Sequence, residues 1–362
     1  MSIPPDVLLG EPLAADPTPD PPSGASGVGS KAGARTAALW FYARKLLAAV
    51  VSFFITLVIG FVLFQLMPAD PVRALTQGRP TSAAQMQALR DSLGLDKPLW
   101  QRFASFVGDT LHGRLGFSWQ FQEPVASLVG SHLWPTVLLM GVSTVISVSL
   151  GLWLGIRSGW RQGSVFDRIS SGVSLTLWSV PTFWLGLLLL VAFSVGFGPI
   201  PSLFPADGMS DPSIAAAGWP HVVDVARHLV LPVATLVLGD YALYVSIMRS
   251  SLIDEMDSPY LLTARAKGLF DSDVRRKHAV PNALLPAVTV IFLQIGGIIG
   301  GAVTVETVYS WPGLGYLTYQ ALKVPDLPLL QGTFIIFSAS VIIMNLAADV
   351  LYRFLDPRVR AQ

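Results

Sequence analysis

Apolar residues in this chain gather into six long runs, near 46–67, 133–156, 169–196, 229–248, 283–303 and 333–352. Each is about as long as the roughly 20 residues an α-helix needs to cross the hydrocarbon core of a bilayer. Between the first two runs lies a long polar and amphipathic stretch. Within it, Thr81 or Ser82 can cap a helix through Leu93 that Gly94 ends, and Pro98 can start another reaching about Leu111. A second polar interruption runs from Ser258 to Pro286 and reads S-P-Y-L-L-T-A-R-A-K-G-L-F-D-S-D-V-R-R-K-H-A-V-P-N-A-L-L-P. Strong helix formers fill Tyr260–Lys267, Gly268 stops them, and the cluster Arg275, Arg276, Lys277 precedes the next apolar run. The pattern predicts one or two short helices lying across the membrane face, tied rigidly to the spans on either side. Such a helix can carry a push from a soluble partner into the fourth and fifth spans. The alternative is a basic loop that holds acidic lipid headgroups.

Composition agrees with a polytopic membrane protein. Of 362 residues, 52% are hydrophobic and 13% charged, and the mean hydropathy is +0.56. A formal net charge of +1 argues neither for nor against nucleic acid, and none is expected as a partner. The absence of cysteine excludes disulfides, thiolate metal sites and cysteine nucleophiles. The histidines His112, His132, His221, His228 and His278 form no metal-binding pair, so no metal site is expected. The amino-terminal stretch lacks the basic and apolar regions of a signal peptide. Its prolines and Gly/Ser/Ala run predict a disordered tail over 1–38. Gly24–Lys31 (G-A-S-G-V-G-S-K) has the wrong spacing for a phosphate-binding loop and no strand before it.

Basic residues set the orientation. Arg44 and Lys45, then Arg157, Arg161 and Arg168, then Arg249, Arg265, Lys267 and Arg275–Lys277, then Arg353, Arg358 and Arg360 all fall on one side if the amino terminus is inside. Both termini and the Ser258–Pro286 stretch are therefore expected in the cytoplasm. The organisation expected is a tail over 1–38, a first span and outer helical region over 39–131, and a main membrane domain over 132–355. Within that domain lies a cytoplasmic loop over 251–282, and a short carboxyl end over 356–362 follows it.

Polar groups at membrane depth cost several kcal/mol unless they are paired or hydrated. Asp240 on the fourth span, Glu306 after the fifth and Asn345 on the sixth are candidates to line a translocation pathway. Asp349, one turn beyond Asn345, is instead expected to pair with a basic residue at the surface. Pro181 and Pro232 permit kinks in the third and fourth spans. Gly296, Gly297, Gly300 and Gly301 place two small-xxx-small pairs on the fifth span. They suit close helix packing within the chain, or equally a dimer or pore-lining face. Trp134, Trp178, Trp184 and Trp311 read as interfacial anchors or packing.

The loop carries a resemblance. Leu262-Thr263-Ala264, then Gly268, then His278-Ala279-Val280-Pro281 resembles the E-A-A-x3-G-x9-I-x-L-P signature of ABC importer permeases, and T-A-R-A-K-G-L looks like its dipeptide/oligopeptide/nickel branch. Met67–Leu75 (M-P-A-D-P-V-R-A-L), Gly94–Leu99, Val305–Gly315 (V-E-T-V-Y-S-W-P-G-L-G) and Leu355–Arg360 agree in order. Leu262 stands where the signature has glutamate, and His278 where it has isoleucine. The resemblance implies an all-α type I ABC importer membrane domain with six transmembrane helices, multi-pass in a bacterial or archaeal inner membrane. It implies a half-transporter that moves a small solute, most commonly di- or oligopeptides. A second, homologous permease chain would complete the pathway. Two ATPase subunits would bind ATP and magnesium, and an extracytoplasmic solute-binding protein would deliver the substrate. No cofactor is expected in this chain, and no catalysis of its own. Thr263, Ala264, Arg265, Ala266, Lys267 and Gly268 would form the segment that couples to an ATPase. The competing class is a proton-coupled secondary carrier that uses Asp240 and Glu306 as relays. Such a carrier usually has more spans or internal repeats.

Overall fold

In lipid a backbone must satisfy its own hydrogen bonds, and the apolar runs accordingly fold as helices. The computed structural model describes residues 31–66, 82–92, 97–196, 201–298 and 302–355. Among these the regular structure is helical apart from an isolated bridge between Phe117 and Pro124. In chain order the helices are α1 (Lys31–Leu66), α2 (Ala83–Ser92), α3 (Leu99–Leu111), α4 (Val125–Trp160), α5 (Val165–Trp178) and α6 (Thr182–Leu190, prolonged by a π-helical turn Val191–Gly196). They continue as α7 (Trp219–Met256), α8 (Pro259–Ala266), α9 (Asp271–Asp273, a π-helical turn Val274–Ala279, then Val280–Gly297), α10 (Val303–Val308), α11 (Leu314–Lys323) and α12 (Leu327–Leu355).

Five helices are long and apolar enough to cross a membrane, and α5 with α6 makes a sixth crossing if the bent pair is one span. Five of the six expected spans are thus each a single helix, and the third corresponds to the bent pair. Its halves meet at 97°. Pro181 lies at the break and starts α6, because a proline cannot donate to the preceding turn and holds the residue before it extended. Pro232, by contrast, is accommodated inside α7.

Two units are distinguished, Met1–Lys45 and Leu46–Gln362. In the first, α1 already begins at Lys31, so residues 31–38 are helical where the expected tail was unstructured. The Ala-rich K-A-G-A-R-T-A-A run has the propensity to prolong the helix toward the amino terminus. Residues 1–30 of the expected tail, Gly300 and Gly301, and the carboxyl end over 356–362 lie outside the described residues. Gly296 and Gly297 end α9. The two short helices α2 and α3 start where expected, after Ser82 and Pro98, and α3 ends at Leu111; Leu93 and Gly94 lie outside the described residues. Ser82 and Gln85 form a reciprocal capping box at the head of α2, with bonds of 3.1 and 3.2 Å.

The densest packing joins α4 to α7 through a stripe of small residues at four-residue spacing: Ser143, Ser147, Gly151, Gly155 and Gly159. A Cβ on Gly151 would lie 2.5 Å from Tyr244 Cβ, and one on Gly155 2.7 Å from Met248 Cβ. This seam was not anticipated. Its small residues are diluted by serine, which reads as polar in a hydropathy pattern although the Ser143 hydroxyl is satisfied by the Leu139 carbonyl at 2.8 Å. Gly141, nearly three turns before Gly151, would meet nothing within 4 Å. Gly151→Ala is therefore expected to cost about 1–3 kcal/mol by overpacking. Gly141→Ala should be neutral or slightly stabilising. Thermal unfolding of the purified chain in detergent checks the pair.

Three clusters of buried side chains succeed one another along the bundle. One joins the starts of α4 and α12 to α11, around Leu128, Leu314 and Leu329. A middle one joins α4, α7 and α10, around Leu139, Leu236 and Trp311. The third joins α7, α8 and α9, around Met248, Leu261 and Val274. Each end of the bundle thus has a firm core, and a candidate site lies at each.

Candidate functional site

At the α8 end the chain leaves the membrane-spanning bundle and returns to it. Helix α7 runs on to Met256 and α9 is already helical at Asp271, so the expected loop over 251–282 shrinks to a short connection holding α8. The basic cluster Arg275–Lys277 lies in the π-helical first turns of α9 rather than in a loop. Ser258 stands before α8 and Pro259 occupies its first turn, where a missing N–H is harmless. Gly268 ends it with φ of +79°, a conformation that disfavours any side chain. A Cβ there would meet nothing within 4 Å, so the turn, not crowding inside this chain, demands the glycine.

Helix α8 divides its residues between two faces. Leu261 and Ala264, one turn apart, are buried against Met248, Leu252, Val274, Ala279 and Ala283. Ala264 is thus small because α8 lies close upon α7 and α9. Thr263, Arg265, Ala266, Lys267 and Gly268 are exposed. With them stand three large apolar side chains: Leu262 at 60%, Leu269 at 41% and Phe270 at 79% exposure. Such a surface, apolar and basic on a rigid support, suits a partner rather than water.

The support is specific. Tyr260 hydroxyl donates to Glu255, and Asn282 donates to the Tyr260 oxygen at 2.9 Å and to the His278 carbonyl at 2.9 Å. Burial, followed by the Glu255 carboxylate, pushes the Tyr260 phenol up from its ordinary value. Trp160, at the end of α4, donates its indole N–H to Asp271 at 2.9 Å. Its ring lies 5.9 Å from the Arg265 guanidinium and 6.0 Å from that of Arg275. Nearby, Arg249 of α7 grips Asp167 of α5 with two bonds of 2.6 and 2.9 Å, and the Gly163 N–H adds a third at 2.8 Å. So α8 is bound to α7 and α9, and the adjoining ends of α4 and α5 are bound to the same pair.

Sequence reading missed these supports. A signal for one of them existed, since Ser164 and Asp167 have capping-box spacing; for the exposed face, Leu269-Phe270 is an apolar pair stranded in a polar segment. The distant pairings of Trp160 and Arg249 left no local trace.

At the opposite end, Glu306 is fully buried. Its carboxylate accepts from the Thr136 hydroxyl at 2.9 Å and the Tyr316 N–H at 3.0 Å. Thr136 in turn accepts from the Leu314 N–H at 2.7 Å. A Cβ on Gly313 or Gly315 would collide with this carboxylate. The Trp311 indole donates to the Pro135 carbonyl, and Tyr309 hydroxyl reaches the Gly186 carbonyl and Thr235, each at 2.9 Å. Glu306 was expected on a pathway, but here it is enclosed and ties α4 to the α10–α11 turn. Of the other candidates, Asp240 on α7 and Asn345 on α12 are exposed in this chain, and Asp240 has no hydrogen bond or ion pair among the described residues. The four anticipated pathway and coupling regions do not converge on one site. Among the described residues no group of three His, Cys, Asp or Glu is placed to hold a metal.

Residues 147–361 match the family "Binding-protein-dependent transport system inner membrane component". Residues 38–139 match "Binding-prot-dependent transport system membrane comp, N-term". A Brucella suis biovar 1 protein, named as a candidate peptide permease, is 39% identical over 305 residues, which cover 83% of this chain and 92% of that protein. The dipeptide transport system permease protein DppB of Escherichia coli K12 is 33% identical over 335 residues, covering 89% of this chain and 99% of DppB. A methionine ABC transporter structure in an inward-facing conformation aligns with a TM-score of 0.49 at 17% identity, over 63% of this chain and 96% of that one.

Proposed function

Since the chain belongs to the binding-protein-dependent transport system inner membrane component family, and so is a permease subunit of an ABC importer, we propose that it carries short peptides inward, driven by ATP that partner subunits hydrolyse. The observation that carries the reading is the two-faced α8. One face is locked into the core of this chain, and the other offers Leu262, Leu269 and Phe270 among basic residues. On this reading Thr263, Arg265, Ala266, Lys267 and Gly268 meet an ATPase, while Ala264 holds the helix to its own chain. ATP and magnesium bind the ATPase, of which two copies serve a pair of permeases.

The basic residues around α8 favour the cytoplasmic side for this end and for both termini. Asp240 and Asn345 face the pathway completed by a second, homologous permease, since an exposed carboxylate at membrane depth needs water or a neighbour. An external solute-binding protein hands over the substrate. The peptide assignment rests on relatives named for peptides and dipeptides. Isothermal titration of that binding protein, identified by co-purification with the assembled transporter, checks it. Dipeptides are expected to bind in preference to free amino acids and metal chelates. Preference for a non-peptide solute would overturn the assignment and leave the coupling reading intact.

A further inference from the structure

A cleft of about 380 Å³ opens beside the outer helices, on the end of the bundle away from α8. Its floor comes from two spans and is mostly apolar: Phe61 and Phe64 of α1, Ile335 of α12, with Trp119 beside them and Gln65 and Gln331 of the same spans among them. Phe61 stands five residues inside the end of α1 and Ile335 eight residues inside the start of α12. At 1.5 Å rise per residue the floor therefore descends roughly 7–12 Å along the spans. Its rim is cationic, with Lys97, Arg102 and Arg114. Arg114 is committed to Asp109 at 2.8 Å, whereas Lys97 and Arg102 have no ion pair among the described residues.

The surroundings place this cleft at headgroup depth. Helix α3 lies against α1 through Phe103 and Phe106, whose rings stand 5.3 and 5.8 Å from that of Phe61. The same helix exposes Leu99, Trp100 and Leu111, the apolar surface of a helix lying in an interface. Between Phe61 and the end of α1, Val62, Leu63 and Leu66 add exposed apolar surface beside the cleft. Cations above and an aromatic floor below match the two ends of one molecule class. A soluble anion would satisfy the rim and leave the floor uncovered.

We propose that this cleft binds one anionic phospholipid, its phosphate between Lys97 and Arg102 and its acyl chains leaving along the exposed apolar face of α1, where Val62, Leu63 and Ile59 lie. The lipid fills the cleft that α3 closes beside the packed ends of α1 and α12, and fixes α3 against them. Only the name of the leaflet, the outer one, rests on the orientation argued above.

Native mass spectrometry of the full-length chain in detergent provides the test, with dioleoyl phosphatidylglycerol, dioleoyl phosphatidylcholine and inorganic phosphate as probes. One phosphatidylglycerol should be retained in preference to phosphatidylcholine. Each basic residue near the headgroup is worth roughly fivefold in affinity, so Lys97→Gln with Arg102→Gln should weaken retention about 25-fold. The charge-keeping pair Lys97→Arg with Arg102→Lys should retain the lipid, as should Arg161→Gln at the other end of the bundle. Equal retention of the two lipids, or no loss in the double glutamine variant, would overturn the proposal. Loss in Arg161→Gln as large as in that variant would do the same. So would displacement of the lipid by inorganic phosphate, which would assign the rim to a free anion.

Discussion

Phe270→Asp is expected to lower ATPase association by about 10- to 100-fold while the chain still inserts and folds. The side chain is 79% exposed and has no role in the core under α8. A fully buried phenylalanine is worth roughly 1.5–3 kcal/mol, which an interface loses when the ring is removed. The introduced carboxylate also opposes whatever acidic surface attracts Arg265, Lys267 and Arg275. Leu262→Asp should act in the same direction. Ala264→Asp is a contrasting case, because it buries a charge against Met248 and Leu261 and should unfold the α8 region itself. Quantitative co-purification of the ATPase, with thermal unfolding measured in parallel, separates the two behaviours. Equal ATPase recovery with Phe270→Asp would remove the exposed tip of the loop from the contact.

Glu306→Ala should destabilise the chain by about 3–5 kcal/mol. Two buried donors, the Thr136 hydroxyl and the Tyr316 N–H, lose their acceptor at roughly 1–3 kcal/mol each, and a cavity adds to that. Against a usual total of about 5–15 kcal/mol this is a large fraction, so poor expression and a lowered unfolding temperature are expected. Glu306→Gln keeps an acceptor for Tyr316 and can reach Thr136 with its amide, so it should remain folded and transport. A proton relay would behave the other way, with Glu306→Gln stable but inactive. The variant thus distinguishes a structural clamp from the carrier mechanism that an intramembrane acid first suggests.

Much of this was legible along the chain because lipid imposes simple rules. Spanning length picked out the six crossings, and caps at Ser82 and Pro98 placed the outer helices. Gly268 was legible too, since helix formers followed by glycine mark a left-handed stop, and its φ of +79° is that stop. The rest was hidden for identifiable reasons. The α4–α7 seam relies on serines that hydropathy counts as polar. The bend at Pro181 depends on how neighbours receive the broken helix, and local sequence says only that a break is allowed. Glu306 was read as a pathway residue because burial by Gly313, Gly315 and Thr136 requires contacts across 170 residues. Asp326, buried as the acceptor for Ser118 at 2.6 Å and the cap of Leu329 at the head of α12, went unremarked for the same reason.

The central claim is that this chain moves solute only when ATP hydrolysis acts on α8. It is tested by reconstituting the chain, with and without its second permease and ATPases, in proteoliposomes that carry an imposed proton gradient and are supplied with the solute-binding protein. Accumulation of labelled dipeptide should require ATPase and ATP together, persist when an uncoupler collapses the gradient, and fail in Phe270→Asp. Accumulation by the chain alone, driven by the gradient and abolished by the uncoupler, would contradict the account.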